Sequence, residues 1–597
     1  MLYPKKEFLA LKFPQHILLS FLIIFKLSQF LSASELRINA GGRVTTIDPA
    51  LAADFISGHI VCALYDTLLE YDYAERPYRL IPAMLTEMPV VSENSKIFTF
   101  SLRNDLFFAE HGFMSGKSKE ERKVTSKDVE YSFKRIADAR INSPGYWIFR
   151  DKIKGIGNFR QKTSTLKQND NTIYNETIEG IKIIDDRRFE IHLDRPDPRF
   201  LYMLAMPYSG ILSSKAGLSG NDFSETAVGS GPFILQKWQK DYKMIFLKNC
   251  DFRKQFYLYA ENEHDRSSPL PYIDKITCYL VKQPLSGWLM FLRGELDIGG
   301  VDRDSFDAVI DPHTKDLKPE LKSNGIKLIC TPEFQINYVG FSFTDKRLGE
   351  NLYLRKAISK AYNIESRIIH SNYALRPVNG PIPPGVAGYE DDYVNDNLIY
   401  DLDEAKNLLE KAGYPGGIAP KTGRALEFDF DLGDSSPYYR QLAELMVDDM
   451  KKIGIKINPI LNNRPKFFQK LSEGKMQIFR LSWVGDYPDA ENFLQLFYGP
   501  NAGKSNRVFF HDDKFDEEFE KVILMGDCPE RTKKYSELAR YITKKVPWIF
   551  ESSPVSYQLI HGWIENFIPN NFANSRWKYL SVNEDKKASL KGKLKSF

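Results

Sequence analysis

Arg480-Leu481-Ser482-Trp483-Val484-Gly485-Asp486-Tyr487 is the stretch on which the reading of this chain turns. It begins with a strand pattern. Side chains alternate between the faces of a strand, so Arg480, Ser482 and Val484 share one face, and Asp486 follows just past the strand end. A cation and a carboxylate therefore bracket one short polar edge. On these residues alone two plainer roles stay open: Asp486 as a turn aspartate, and Arg480 as half of a surface or inter-strand ion pair.

Outward from that stretch, strand-like runs recur at Ile97–Leu102, Phe189–Leu193, Met244–Leu247 and Lys275–Val281. Helices with clear start and stop signals lie between them. Thr125 with Asp128 forms a capping-box start, and Val129, Phe133, Ile136 and Ala137 then fall on one face. Asp401 with Glu404 opens a second helix, lined by Ala405, Leu408 and Leu409 and closed by Gly413 and Pro415. Ser436 and Pro437 start a third, which reaches Gly454 before an Ile455–Ile460 strand. Mixed strands and helices throughout define an α/β chain. Polar stretches at 159–178, 260–271 and 311–325 read as surface loops, and the Lys586–Lys595 end as a solvated tail.

The first 33 residues differ from the rest. Lys5, Lys6 and Lys12 precede an apolar run, Ile17–Phe25, and Ser32, Ala33 and Ser34 follow, the order of a secretory signal peptide with cleavage expected near Ala33. The run falls short of the ~20 apolar residues that a membrane-spanning helix needs. It contains no cysteine at its end to carry a lipid anchor. Without this segment the chain holds 78 basic and 77 acidic residues, a near-neutral balance that disfavours a nucleic-acid partner. The composition, 43% hydrophobic and 27% charged, is that of a globular protein. Five widely spaced cysteines (62, 250, 278, 330, 528) form no Cys-x-x-Cys pair and read as small buried side chains, with room for one disulfide, in preference to a metal site. Aromatic residues are abundant: 41 Phe, 31 Tyr and 7 Trp.

Catalytic signatures are missing. No serine has glycine two residues to either side, and no His-Glu-x-x-His occurs. Gly-Lys-Ser triplets at 116–118 and 503–505 lack the upstream glycine of a phosphate loop, with His111 and Tyr498 in its place. Gly155-Ile156-Gly157 is followed by Arg160 where a dinucleotide fingerprint needs its third glycine. A large exported chain without such motifs points to binding, with no catalytic residue, metal or cofactor expected.

Several stretches together resemble a known family. They are Thr46-Ile47-Asp48-Pro49, Leu64–Leu69, Val124–Phe133, Gly229-Ser230-Gly231-Pro232-Phe233 with Trp238, Asn337–Phe343 before Leu354–Ile358, Gly380–Gly385, the Asp401–Gly417 unit, Trp483–Tyr487 and Trp577–Leu580. In this order they resemble the extracytoplasmic peptide-binding proteins of ABC transporters, solute-binding family 5, nearly end to end. The resemblance implies a class II periplasmic-binding-protein fold, with two α/β lobes closing on a cleft and an extra middle domain. The implied division is lobe I from 34–70, 181–300 and 555–597, the extra domain from 71–180, and the other lobe from 301–554.

The same resemblance assigns a binding role to Asp486, which matches the aspartate holding the peptide amino group, and a less secure one to Arg480, for a short peptide's carboxylate. Ser482–Val484 and Ala53-Asp54-Phe55 match the two strands that sandwich the ligand backbone, although Asp54 and the bulky Phe55 depart from the family pattern. Phe55, Trp483 and Tyr487 are expected to wall the cleft. The implied partners are short peptides and the permease and ATPase subunits of an ABC importer; the protein is expected to be monomeric and periplasmic. Two alternatives remain at this stage: a receptor of the same fold for a nickel complex, haem, opine or sugar, and an exported hydrolase.

Overall fold

The computed structural model describes residues 34–301, 305–311, 314–572, 575–592 and 594. The expected signal peptide lies outside these residues. Three main sheets organise the rest. In the first, Glu35–Asn39 pairs parallel with Lys275–Tyr279, which continues antiparallel to Lys243–Lys248 and then Phe233–Gln239. Alternation buries Leu36, Ile38, Met244, Phe246, Ile276 and Cys278 on its core face. The second sheet is an antiparallel meander of Val90–Val91, Ile97–Ser101, Arg188–His192 and Ile181–Ile183. The helix Ser126–Ala137 starts there with the expected capping box, Thr125 with Asp128.

The third sheet is the largest. Its central strands are Trp548–His561, Gln335–Phe341, Ile478–Val484, Glu427–Leu432 and Lys456–Leu461, adjacent in that order. Helices Leu402–Lys411, capped by Asp401, and Pro437–Lys451 accompany it. The 14-residue strand Trp548–His561 joins the lobes: its first half pairs with Gln335–Phe341, its second with Ile326–Pro332 and Ile298–Gly300. The chain then returns to the first lobe, where Ile564–Glu565 pairs with Ser581–Val582.

Several sequence expectations change. The break expected after residue 180 falls at the edge of the second sheet, whose last two strands lie at 181–192, because Ile181–Ile183 and Arg188–His192 complete the meander begun by Val90–Ser101. The break at 554/555 falls inside a continuous strand. The polar stretches are not plain loops, since they carry helices Ile156–Thr163, Glu263–Ser267 and Pro319–Ser323. The Lys-rich end is anchored. Helix Glu584–Lys591 pairs Lys586 with Glu565 at 2.6 Å, and Leu594 is buried. All five thiols are unpaired, and Cys250 and Cys330 are exposed, against the expectation of buried cysteines.

The recurring motifs prove to be packing devices. Asp48 accepts two 2.6 Å bonds from the buried Arg135 guanidinium, tying the chain start to the middle-domain helix. A Cβ on Gly229 would stand 2.1 Å from the Leu64 carbonyl oxygen, and one on Gly231 2.5 Å from the Leu64 carbonyl carbon, so only glycine admits this contact. Lys578, wholly buried, donates to Glu70 at 2.5 Å, and Arg253 pairs with Asp66 at 3.1 Å. The first pair closes the last segment onto the first, and the second ties the Arg253 segment to the same place.

Candidate ligand-binding cleft

Ile478–Val484 is paired along its whole length with Gln335–Phe341, from Val484↔Gln335 to Ile478↔Phe341. Its other edge meets Glu427–Leu432 only at Ile478↔Phe430 and Phe479↔Asp431. Among the described residues no strand pairs with that edge from Arg480 to Val484. Ser482 and Val484 are exposed, the latter at 61%, while Leu481 and Trp483 are half-buried. An unpaired edge of alternating N–H and C=O groups is a template for an extended chain.

Asp486 stands at the end of this edge. Gly485 makes the approach possible: a Cβ there would fall 1.9 Å from the Phe334 ring. The buried Asn492 organises the turn, accepting from the Asp486 amide at 3.1 Å and the Trp483 indole at 3.0 Å, and donating to the Asp486 carboxylate at 3.3 Å. Asp486 is open to the cleft. The surrounding walls, and secondarily Glu491, nevertheless raise its carboxyl above the ordinary value, against the bond from Asn492. A fixed carboxylate in a partly desolvated cleft is a receptor for a cation.

Across the cleft, Asp54 caps the helix Phe55–Leu64, accepting from the Ser57 amide at 2.8 Å and from Thr45 Oγ1 at 2.6 Å. Partial burial works against its charge, but these bonds hold its carboxyl below the ordinary value. Both Asp486 and Asp54 act on Tyr208, whose phenol is pushed up by burial first and by the two carboxylates next. The expected strand at Ala53–Phe55 is absent: Asp54 is a helix N-cap and Phe55 the first helical residue, so this segment pairs with no strand.

Arg480 is engaged elsewhere. It is 7% exposed and its Nε and Nη2 donate to Glu551, at 3.0 and 2.6 Å, while Tyr362 donates to the same carboxylate at 2.6 Å. An ion pair between strands is therefore its observed role, and its guanidinium is turned to Glu551, against the expected contact with a peptide carboxylate. Tyr487 does not wall the open cleft. It is buried, stacks on Tyr202 with centroids 5.6 Å apart, and donates to Glu491 at 2.5 Å.

Beyond Asp54 the cleft widens into a cavity of about 550 Å³, lined by Phe55, His59, Trp288, Glu333, Gln558 and Arg576 among others. Of the expected binding residues Phe55 alone lines it, 71% exposed, with its ring edge-on to His59 at 4.3 Å. Sequence reasoning missed Asn492, Tyr208, Glu551 and the cavity. Each is placed by a contact between distant segments, and no local pattern announces it. Among the described residues no group of three His, Cys, Asp or Glu side chains is placed to hold a metal ion, and no helix is long and apolar enough to cross a membrane.

Two packed lobes around a cleft, joined through a long shared strand and flanked by a middle sheet, define a periplasmic-binding-protein fold. The profile of the bacterial extracellular solute-binding proteins, family 5 Middle, matches residues 79–505, and the chain belongs to that family. Among curated relatives, Heme-binding protein A of Haemophilus influenzae is 24% identical over 533 residues, 87% of each chain. Di/tripeptide-binding protein 2 of Pseudomonas aeruginosa is 26% identical, over 83% of this chain and 84% of its own. Among solved structures, the unliganded open form of the periplasmic murein tripeptide binding protein MppA superposes with a TM-score of 0.72 at 18% identity, over 92% of this chain and 98% of its own. HbpA2 of Haemophilus parasuis does so with a TM-score of 0.73 at 20% identity, over 92% and 99%.

Proposed function

We propose that this solute-binding protein is the periplasmic receptor of an ABC importer and captures short peptides without chemical conversion. The observation that supports it most is the open strand edge at Arg480–Val484 ending in Asp486. Backbone N–H and C=O groups are what all peptides share, so an added strand on this edge gives affinity without sequence preference. Asp486 takes the α-ammonium at the end of that strand. Lobe closure then removes the pair from water and strengthens it. Relatives named for di- and tripeptides agree with this reading. The permease and ATPase are its inferred partners, and a monomer its inferred state.

Calorimetry with free-amino and N-acetylated peptides tests the assignment. Asp486→Asn is expected to weaken free-amino peptides ~10–100-fold, the scale of a charge-assisted hydrogen bond of about 1.5–3 kcal/mol. N-acetylated peptides should change little; equal losses for both would remove the ammonium role. A haem-binding relative and the roomy cavity support a second reading, a haem receptor. Native mass spectrometry of the purified protein separates the two, since peptides and haem differ in mass and haem also in absorbance.

A further inference from the structure

The cavity at the base of the cleft is lined by a charged group for which the described residues offer no counter-charge. Arg576 lines it, half-buried. Among the described residues no carboxylate or hydrogen-bond acceptor holds its guanidinium; its one ring contact is Phe567, 6.0 Å from Cζ to the centroid. The other cation on the lining, Lys282, already meets Asp241 at 3.3 Å. Three other interior arginines each meet a carboxylate: Arg135 that of Asp48, Arg253 those of Asp66 and Glu70, Arg480 that of Glu551. Burial works against the charge on Arg576, and only the Tyr73 phenol favours it. A guanidinium on a cavity wall, with no acceptor on it among the described residues, is poised for a planar anion.

The walls define the rest of the ligand. Phe55 and Trp288 face the cavity with Ile56, Ile298 and Phe306, an apolar lining of the size that encloses a bulky side chain. The cavity reaches the Asp486 end of the cleft, since Glu333 lines it and the carbonyl of the next residue, Phe334, accepts from the Gly485 amide at 2.9 Å. Asp486 and Asp54 thus make one end of the cleft anionic, while the cavity carries Arg576 and Lys282 against one carboxyl, Glu333, which burial shifts toward its neutral form.

We propose that this cavity is a second ligand compartment, in which Arg576 receives the α-carboxylate of the bound peptide and Phe55 and Trp288 enclose its C-terminal apolar side chain. The proposal rests on the peptide reading above and assigns the carboxylate to the cavity in place of Arg480. It predicts a preference for a free C-terminus and for a large apolar last residue.

The test is calorimetry on the full-length protein with Ala-Ala-Phe, its C-terminal amide, and Ala-Ala-Gly. The free acid should bind at least 10-fold more tightly than the amide. Arg576→Gln should bring the acid down to the level of the amide, and Arg576→Lys should restore part of the difference. Asp486→Asn should weaken both and leave their ratio alone. A wild-type ratio near one, or an unchanged ratio in Arg576→Gln, overturns the proposal. If the wild type binds no peptide, the peptide reading fails and the compartment is read with N-acetylphenylalanine, whose only charge is a carboxylate. Binding at least 10-fold weaker in Arg576→Gln then supports the site, and equal or absent binding overturns it. Should Arg576→Gln not fold, the exposed Phe55→Ala decides: it should lower the preference of Phe over Gly at the C-terminus at least 5-fold, and an unchanged preference rejects the compartment.

Discussion

Arg199 Nη1 lies 2.6 Å from Glu491 Oε1, and this ion pair spans the two lobes. Arg199 precedes the Phe200–Met203 helix, packed in the core beneath the first two sheets, whereas Glu491 opens the Glu491–Leu494 helix in the core behind the third. Tyr487 accompanies it, stacked on Tyr202 and bonded to the other oxygen of Glu491. Burial works against the Arg199 charge, yet Glu491 first and Asp197 next raise its pKa. The pair ties the two lobes together as a latch would, five residues along the chain from Asp486.

Glu491→Gln keeps the shape of the latch and removes its charge. The expected cost is about 1–2 kcal/mol in the latched form, or ~5–30-fold in ligand affinity if closure and binding are coupled. Small-angle scattering of the ligand-saturated variant should give a larger radius of gyration than the wild type. Identical radii and affinities would show that the latch carries no closure energy.

Ligand affinity should depend on pH through Asp486. Its carboxyl is raised by burial and by Glu491, so it takes up a proton at a higher pH than an ordinary aspartate does. A protonated carboxyl cannot hold an ammonium as an ion pair. Affinity for free-amino peptides is therefore expected to be level near neutrality and to fall as pH drops toward the raised pKa, while Asp486→Asn stays flat. The stability sign is opposite. A folded pKa above the unfolded one means that the folded state binds the proton more tightly, so stability decreases as pH rises through that range. Asp486→Asn should accordingly raise the melting temperature at neutral pH while it weakens binding.

The Arg480–Glu551 pair is a matter of stability. Glu551→Ala leaves the buried guanidinium unpaired, an expected loss of about 3–5 kcal/mol in chemical denaturation. Replacing both residues by methionine should cost less than Glu551→Ala alone, because two desolvated charges are removed together. Although burial opposes ionisation of Glu551, Arg480 and Tyr362 bring its pKa below the ordinary value. Its contribution is present above the unfolded-state pKa and is lost as pH falls through the lowered one. Acid melting of wild type and the double variant should then converge at low pH.

Gly231→Ala places a methyl group 2.5–2.7 Å from the Leu64–Tyr65 peptide. Backbone on both sides leaves little room to yield, and an overpacking cost of about 1–3 kcal/mol is expected. Gly220→Ala meets no atom within 4 Å but sits at φ +85°, so its smaller loss would come from backbone strain alone. Thermal melts of the two variants separate crowding from strain.

Local patterns carried the secondary structure and the family. The capping box at Thr125–Asp128, the Asp401 cap and the strand at Lys275–Tyr279 follow from residues within a few positions of one another. The open edge beside Ser482 and Val484 was legible in part, because alternation shows which side chains share a face; that its other edge lacks a partner required the whole sheet. Arg480 illustrates the limit. Its partner Glu551 lies 71 residues away, and no spacing rule connects them. Ala53–Phe55 shows a second limit: alignment by counting proposed a strand, but the Asp54 side chain satisfies the free amide of Ser57 and starts a helix instead.

The sequence by itself determined that this is an α/β solute-binding chain with an aspartate at a strand end, since period, caps and turns are encoded between near neighbours. Only the tertiary structure decided which charges pair with one another and which line the cleft. Asp48, Asp66 and Glu551 are occupied by buried arginines from distant segments, whereas Asp486 faces the cleft and Arg576 the cavity. The physical reason is that a buried charge must find its counterpart wherever packing brings one, and packing in three dimensions is not written in sequence distance.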